Sequence, residues 1–396
     1  MKYIDFEKLI KTKQTNCPCC SSDSSYVIDL PKYPVTEFYK KSDDLRDAFG
    51  FIDQSVLFCE ACNHLFLSKI LDASKIYDST NYITSSISSQ GAVECIDAFV
   101  SFIRRTSDKS DMYGSSLIDI GGNDSTLLNN FIDSVDHLIN IDPNASKDNE
   151  NIELRREFLE EVDFSDFHKK TKQIFVSSHT IEHLEDPASL LRKLSKVIKN
   201  NDILYLQFPS MEKLIEQERY DQICHQHINL FSLNSISNLM EKEGLYVQDY
   251  EFDTSHFGTL RIKLTRSKST RKKYKTFTES EVVNSYVRFK SYYHALNNSL
   301  LNVFNNGQGF GAGLMVPTLA YNLPLINQLS VIIDESPSRT GKKFINLNPP
   351  ILGIKKLDIN SPVLITSIST KAAARKIFSK LVSLGIKDIS LPSNIL

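Results

Sequence analysis

Apolar positions in the middle of the chain fall into short unbroken runs separated by stretches of helical periodicity. Leu117 to Ile120, His137 to Ile141, Gln173 to Ser178 and Leu204 to Phe208 each read as a strand buried on both faces. Between them, Leu127, Leu128 and Phe131 share one helical face, as do Leu190, Leu191, Leu194 and Ile198 in a helix opened by Pro187. Ala92 to Arg105 is amphipathic and helical. This alternation predicts a parallel sheet covered by helices on both sides. Residues 232–265 add a helix from Ile236 to Glu243, stopped by Gly244, and two strands that include Thr259 to Leu264. A long helix from Glu279 to Phe304 leads into a second α/β unit. It has strands at Leu329 to Asp334 and Val363 to Ser367 and a helix from Ala372 to Leu384 closed by Gly385. The pattern divides the chain into 1–75, 76–265 and 266–396.

The turn after the first strand carries the first candidate chemistry. Leu117-Ile-Asp119-Ile-Gly121-Gly122-Asn123-Asp124-Ser125-Thr126 brings a strand into a helix through two glycines, where the backbone can bend sharply and approach a ligand. Ser125 or Thr126 is placed to cap that helix. Asp142 ends the next strand, twenty-one residues beyond Gly121, where nucleotide-binding α/β units hold a ribose diol. The turn is neither GxGxxG nor a P-loop, and one short glycine pair suits a nucleoside better than a pyrophosphate. S-adenosylmethionine fits, its adenosine against Asp142 and its methionine end over the turn.

Composition narrows the remaining possibilities. A net charge of −2 on 396 residues argues against general binding to nucleic acid or anionic membranes. No run of eighteen apolar residues exists, and MKYIDFEKLIKTK lacks the apolar core of a signal peptide, so a cytoplasmic protein is expected. Seven cysteines are present, and five precede position 63. Cys17/Cys20 and Cys59/Cys62 form two CxxC pairs, the knuckles of a four-thiolate structural zinc site, with Cys19 a bystander. Glu60 and Asn63 flank the second pair, so this is not a basic nucleic-acid ribbon. The loop from Pro31 to Phe51 is a candidate wall of a substrate site.

Further chemistry sits at strand ends. His179-Thr-Ile-Glu-His183 follows Ser178 at the carboxyl end of a strand, where doubly wound sheets bind ligands. Cys224-His225-Gln226-His227 places two imidazoles, with pKa values near neutrality, two residues apart. Tyr77 to Ser86 is rich in hydroxyls and reads as a surface loop or as a lid that brings Tyr82 over the pocket. In the second α/β unit, Gly309 and Gly311 of a glycine-rich turn and Asp334 at the next strand end form a candidate nucleotide pocket. The run Arg266 to Lys275 reads as a solvated basic linker.

Taken in order, CxxC…CxxC, Asp119-Ile-Gly-Gly-Asn-Asp124-Ser-Thr-Leu-Leu128, His225-x-His227 before Phe231-Ser232, and a glycine-rich C-terminal α/β unit resemble the sugar C-methyltransferases of deoxysugar biosynthesis. These act on nucleotide-linked 4-keto-6-deoxysugars. The resemblance implies a small zinc-binding domain over 1–75. A Rossmann-like class I methyltransferase core would follow over 76–265, and a Rossmann-like domain holding the nucleotide-sugar over 266–396. It places Gly121, Asn123 and Asp124 at the methionine end of the cofactor and Asp142 at its ribose. Asp119, Gly122 and His179 complete the expected cofactor set. Tyr82 would close the pocket, His183 would lie near the sugar, and His227 would act as base. The chain has Cys224 and Gln226 where the family has tyrosine and glutamate, and Met315-Val316 where a basic residue and glycine are usual.

Methylation at a carbon beside a ketone needs a base and a group that stabilises the enolate. His227 is the expected base, with His225 or His183 as support and Gln226 as a hydrogen-bond donor to the enolate. Cys224, Gly309, Gly311 and Asp334 are the expected substrate contacts. The change at Gln226 keeps O- or N-methylation open, since these need only orientation and a modest base. A non-catalytic zinc and nucleotide-sugar binding protein is the alternative of another class. A monomer or homodimer is expected, with no nucleic-acid or membrane partner.

Overall fold

The computed structural model describes residues 6–36, 38–41, 50–76, 90–147, 149–167, 171–254, 258–268, 274–304, 306–367 and 371–392. Seven strands form its central sheet. They are β1 Ser116–Ile120, β2 His137–Ile141, β3 Ile152–Arg155, β4 Gln173–Ser178, β5 Ile203–Pro209, β6 Tyr246–Asp253 and β7 Thr259–Thr265. Their spatial order is 3-2-1-4-5-7-6, with β1 to β5 parallel and β7 antiparallel to both its neighbours. The strand order reverses between β1 and β4, which opens a crevice at their carboxyl ends.

Alternation along the strands builds two apolar layers, as the unbroken runs require. Leu117, Leu138, Ile174, Val176, Ile203 and Tyr205 pack with Phe99, Phe102 and Ile103 of the helix Gln90–Thr106. Ile118, Ile139, Phe175, Leu204 and Leu206 face the opposite way, toward the helices Pro187–Val197 and Leu233–Lys242. Asp186 caps the first of these through the Ser189 amide, and Ser232 caps the second in a reciprocal box with Ser235.

Three elements differ from the sequence reading. The helix after the glycine turn is a single turn, Thr126–Asn129. The strand Ile152–Arg155 falls in a stretch too short and polar to show a period, because it lies at the sheet edge. The long helix spans Glu279–Leu300, started by a Thr278–Glu281 capping box.

The N-terminal part is an antiparallel sheet of Ser25–Pro34, Phe51–Cys59 and His64–Leu67, and its fourth strand, Asn229–Leu230, comes from the central part of the chain. The stretch expected to be a loop from Pro31 to Phe51 therefore begins as strand. Further along, Tyr39–Lys41 pairs with Lys342–Phe344 of the C-terminal part. Cys17, Cys59, Leu57 and Phe66 share an apolar cluster with Phe208, Phe231 and Leu233.

The C-terminal part is a parallel five-stranded sheet in the order Ile351–Gly353, Val331–Asp334, Gln308–Phe310, Val363–Ile365, Ile389–Ser390. The long helix packs Phe289 and Tyr293 between this unit and Ile28, Leu30 and Tyr33 of the N-terminal sheet. Among the described residues no helix is long and apolar enough to cross a membrane.

Candidate active site

The glycine turn at the end of β1 is shaped by its own neighbours. Gly121 has φ +80°, and a Cβ there would lie 2.2 Å from Thr180 Oγ1 and 2.6 Å from Thr180 Cγ2. At Gly122 a Cβ would meet Asn140 Oδ1 at 2.5 Å and Asp119 Oδ2 at 2.9 Å. Asn123 and Ser125 follow in the left-handed region, at φ 43° and 61°. The turn holds this shape because Asn140 Nδ2 donates to the Asn123 carbonyl (3.0 Å) and to Ser125 Oγ (2.8 Å). Neither expected cap forms as read: Ser125 donates to the Ser146 carbonyl, and the amide and hydroxyl of Thr126 both bond Asp124 Oδ1.

Asp142 stands where the strand spacing places it, just past β2. Its carboxylate accepts from the amides of Asn123 (3.3 Å) and Asn144 (2.7 Å), which locks the turn to the end of the neighbouring strand. Burial holds its carboxyl above the usual range. Asp119 is 2 % exposed, and its Oδ1 has no hydrogen-bond partner among the described residues, nor does Asn140 Oδ1. Burial, and then the neighbouring Asp142 and Asp124, push the Asp119 carboxyl up to about 8. The folded protein thus keeps a proton on Asp119 that the unfolded chain gives up above about pH 4. Stability is expected to fall as pH rises from about 4 through 8. Asp119→Asn should flatten this slope and raise the thermal midpoint at pH 8, read from melting curves across that window.

Across the crevice, β4 ends in His179 at φ 53°, followed by the short turn Ile181–His183. His179 Nδ1 lies 3.1 Å from Glu182 Oε1, and its Nε2 lies 3.4 Å from Cys95 Sγ. Burial pulls His179 down to about 3 and pushes the Cys95 thiol up to about 11, so a neutral imidazole donates to Glu182 and accepts from the thiol. Glu182 is 1 % exposed, and its Oε2 has no partner among the described residues.

His183 and His227 meet edge to face, ring centroids 5.1 Å apart. His183 Nδ1 donates to the Gln226 carbonyl (2.8 Å), so its unprotonated nitrogen is Nε2. His227 bonds the Gln222 carbonyl, while its Nδ1 has no partner among the described residues, so Nε2–H is the donor and Nδ1 carries the lone pair. Burial lowers the pKa of both rings, that of His183 to about 4. The structure therefore brings His179, Glu182, His183 and His227 together.

His225 lies apart from them. Its Nε2–H donates to the Tyr33 carbonyl (3.2 Å), and its Nδ1 accepts from Gln54 Nε2 (3.3 Å). Both nitrogens are spent tying the loop to the N-terminal sheet, a positioning arrangement in place of the support for His227 expected from the sequence. Gln226 Oε1 accepts from Thr36 Oγ1 at 3.0 Å, and Cys224 is buried beneath the loop. Tyr82 lies outside the described residues. Glu182, Asn140, Cys95 and the Gln54–Tyr33 pair were missed by the sequence reading. Only Glu182, inside a strand-end motif, left a local signal.

The four knuckle cysteines converge with all sulfurs within 4.8 Å of one another, and Cys19 is outside the group. Sγ separations are 3.5 Å for Cys17–Cys62 and for Cys20–Cys59, and 3.7 Å for Cys59–Cys62. Four thiolates around a tetrahedral ion with bonds of about 2.3 Å stand about 3.8 Å apart, so the set fits zinc.

In the C-terminal unit, Gly311 has φ +97°, and Asp334 accepts from the amides of Ala312 (2.6 Å) and Ser336 (2.8 Å). This repeats the Asp142 device. Gly309 is enclosed by Ile332, Leu329 and Thr366, so its lack of a side chain serves packing.

Residues 94–250 match a family profile described as a methyltransferase domain. The C-methyltransferase NovU of Streptomyces niveus is 22% identical over 254 residues. That match covers 62% of this chain and 59% of NovU, so the chain spans less than two thirds of that relative's length. Among solved structures, the magnesium protoporphyrin IX methyltransferase ChlM of Synechocystis PCC 6803 with bound SAM superposes with a TM-score of 0.34 at 11% identity. The match covers 45% of this chain and 80% of ChlM. An S-adenosylmethionine-dependent methyltransferase described as putative from Listeria monocytogenes gives 0.34 at 8% identity, over 43% of this chain and all of that one. Residues 94–250 thus match a methyltransferase domain, and the sheet that they share with Thr259–Thr265 has the strand order of the class I methyltransferase fold.

Proposed function

We propose that the protein transfers a methyl group from S-adenosylmethionine to a nucleotide-linked 4-keto-6-deoxy sugar in the cytoplasm, at a carbon beside the ketone. The observation that carries this reading is the placement of two neutral imidazoles, His183 and His227, across the crevice from the glycine turn. The similarity to a C-methyltransferase over 254 residues supports the acceptor atom.

The cofactor supplies an electrophilic methyl group on a positively charged sulfur. Gly121, Gly122, Asn123 and Asp124 would hold its methionine end and Asp142 its ribose, with His179 on the crevice wall. Asp119 Oδ1 and Asn140 Oδ1, both lacking donors among the described residues, fit a ligand that brings N–H groups to the turn. On the acceptor side His227 Nδ1 would take the α-proton, leaving an enolate carbon as nucleophile for the methyl group that the cofactor would supply. The Gln226 side-chain amide, its oxygen already held by Thr36, is a hydrogen-bond donor for the enolate oxygen. His225 positions the loop. Cys224 lies beneath it, and Tyr82 would close the pocket. The C-terminal turn around Gly309, Gly311 and Asp334 would hold the nucleotide. Cys17, Cys20, Cys59 and Cys62 would hold a structural zinc ion, since four thiolates leave no open position.

Incubation with S-adenosylmethionine and a panel of 4-keto nucleotide sugars should yield a product heavier by one methyl group. If calorimetry shows no cofactor binding, the reading fails and a non-catalytic binding protein takes its place. His227→Asn should lower kcat about 10²–10⁴-fold with cofactor affinity unchanged. The glutamine at 226 favours one second reading, transfer to a hydroxyl or amine, which the position of the new methyl group in the product decides.

A further inference from the structure

Glu182, His183 and His227 form a second group able to ligate a metal ion. One carboxylate oxygen and one nitrogen from each ring all lie within 4.8 Å of one another. The hydrogen bonds decide what these atoms present. His183 donates through Nδ1, so its Nε2 is the unprotonated nitrogen. His227 presents an unprotonated Nδ1 that no described residue supplies with a donor. Glu182 Oε1 is fixed by His179, and its buried Oε2 has no donor among the described residues. Two buried acceptors of this group, Glu182 Oε2 and His227 Nδ1, thus have no donor among the described residues, and a buried acceptor left unsatisfied is costly.

We propose that these three residues bind a divalent cation of the borderline class, such as zinc, cobalt, iron(II) or manganese. Two imidazoles and one carboxylate are the ligand set of such ions, whereas calcium and magnesium take oxygen ligands almost exclusively. Three protein ligands leave coordination positions open, unlike the closed four-thiolate knuckle. Those positions suit the carbonyl and hydroxyl oxygens of a sugar. The surroundings are those of a built site. Glu182 is oriented by His179, which is itself held by Cys95, and His183 is oriented by the Gln226 carbonyl. The cation site stands on this geometry alone, while its use on a sugar rests on the methyltransferase reading. Proton acceptance by His227 and ligation by His227 use the same lone pair and belong to the cation-free and cation-loaded protein respectively.

The test is titration of the full-length protein, its thiolate site filled with one equivalent of zinc, with cobalt(II). A second equivalent should bind and give visible d–d bands without sulfur-to-cobalt charge transfer. Glu182→Gln and His183→Asn should each weaken this binding about tenfold or more. Melting curves and S-adenosylmethionine affinity confirm that the variants are folded. Absence of a second equivalent, appearance of charge-transfer bands alone, or binding unchanged in both variants would overturn the proposal. Loss of cofactor binding in the wild-type protein would instead remove the methyltransferase reading and leave the cation result standing.

Discussion

A Gly121→Ala protein is expected to lose S-adenosylmethionine binding and about 2–5 kcal/mol of stability, on the scale of placing an L-residue in the left-handed region and overfilling a packed site. Both penalties act at once, because φ is +80° and the new methyl would sit 2.2 Å from Thr180 Oγ1. Isothermal titration and chemical denaturation measure the two effects separately. Adding Thr180→Ala removes the hydroxyl and the methyl at 2.2 and 2.6 Å but leaves the unfavourable φ. The double variant should therefore regain part of the stability, and by less than half if backbone conformation dominates. Full recovery would show that the glycine serves only to clear Thr180.

Cys62→Ser should release the zinc ion proposed for the knuckle and lower the thermal midpoint by about 10 °C or more, since structural zinc sites contribute roughly 10 kcal/mol or more to the fold they close. Cys62 stands among the other three sulfurs, in an apolar cluster that also contains Phe208, Phe231 and Leu233. The damage would reach past the N-terminal sheet for that reason. Zinc content by elemental analysis should drop by one equivalent relative to the wild-type protein. Cys19→Ser, outside the group, should keep the full equivalent. A serine variant at Cys62 with the same zinc content as the wild-type protein would mean that the four-thiolate assignment is wrong.

The central sheet was legible because strands buried on both faces leave apolar runs, and the helices between them keep a three-to-four-residue period. The CxxC pairs were legible because each presents its two sulfurs locally. What the sequence hid was long-range. Gly121 looked like a residue spared a side chain for a ligand, but its Cβ space is filled by Thr180, fifty-nine residues on. The sequence makes His225 a support for His227, and two-residue spacing in a strand would put both side chains on one face. The turn closed by the His227 amide on the Cys224 carbonyl sends them apart, one to the N-terminal sheet and one to His183. Glu182 was visible in its motif, yet its place beside His227 depends on a loop forty-five residues later.

The two-residue strand Asn229–Leu230 begins two positions after His227 and belongs to the N-terminal sheet, where Asn229 links His64 to the Leu184 carbonyl. The glycine turn hangs instead from β1 and β2. The proposed acceptor side thus hangs from the N-terminal sheet and the proposed donor side from the central sheet, while the thiolate knuckle packs against both. If the knuckle holds zinc, chelation should loosen the short Asn229–Leu230 tether first, so that methyl transfer fails at milder chelation than capture of the methyl donor does.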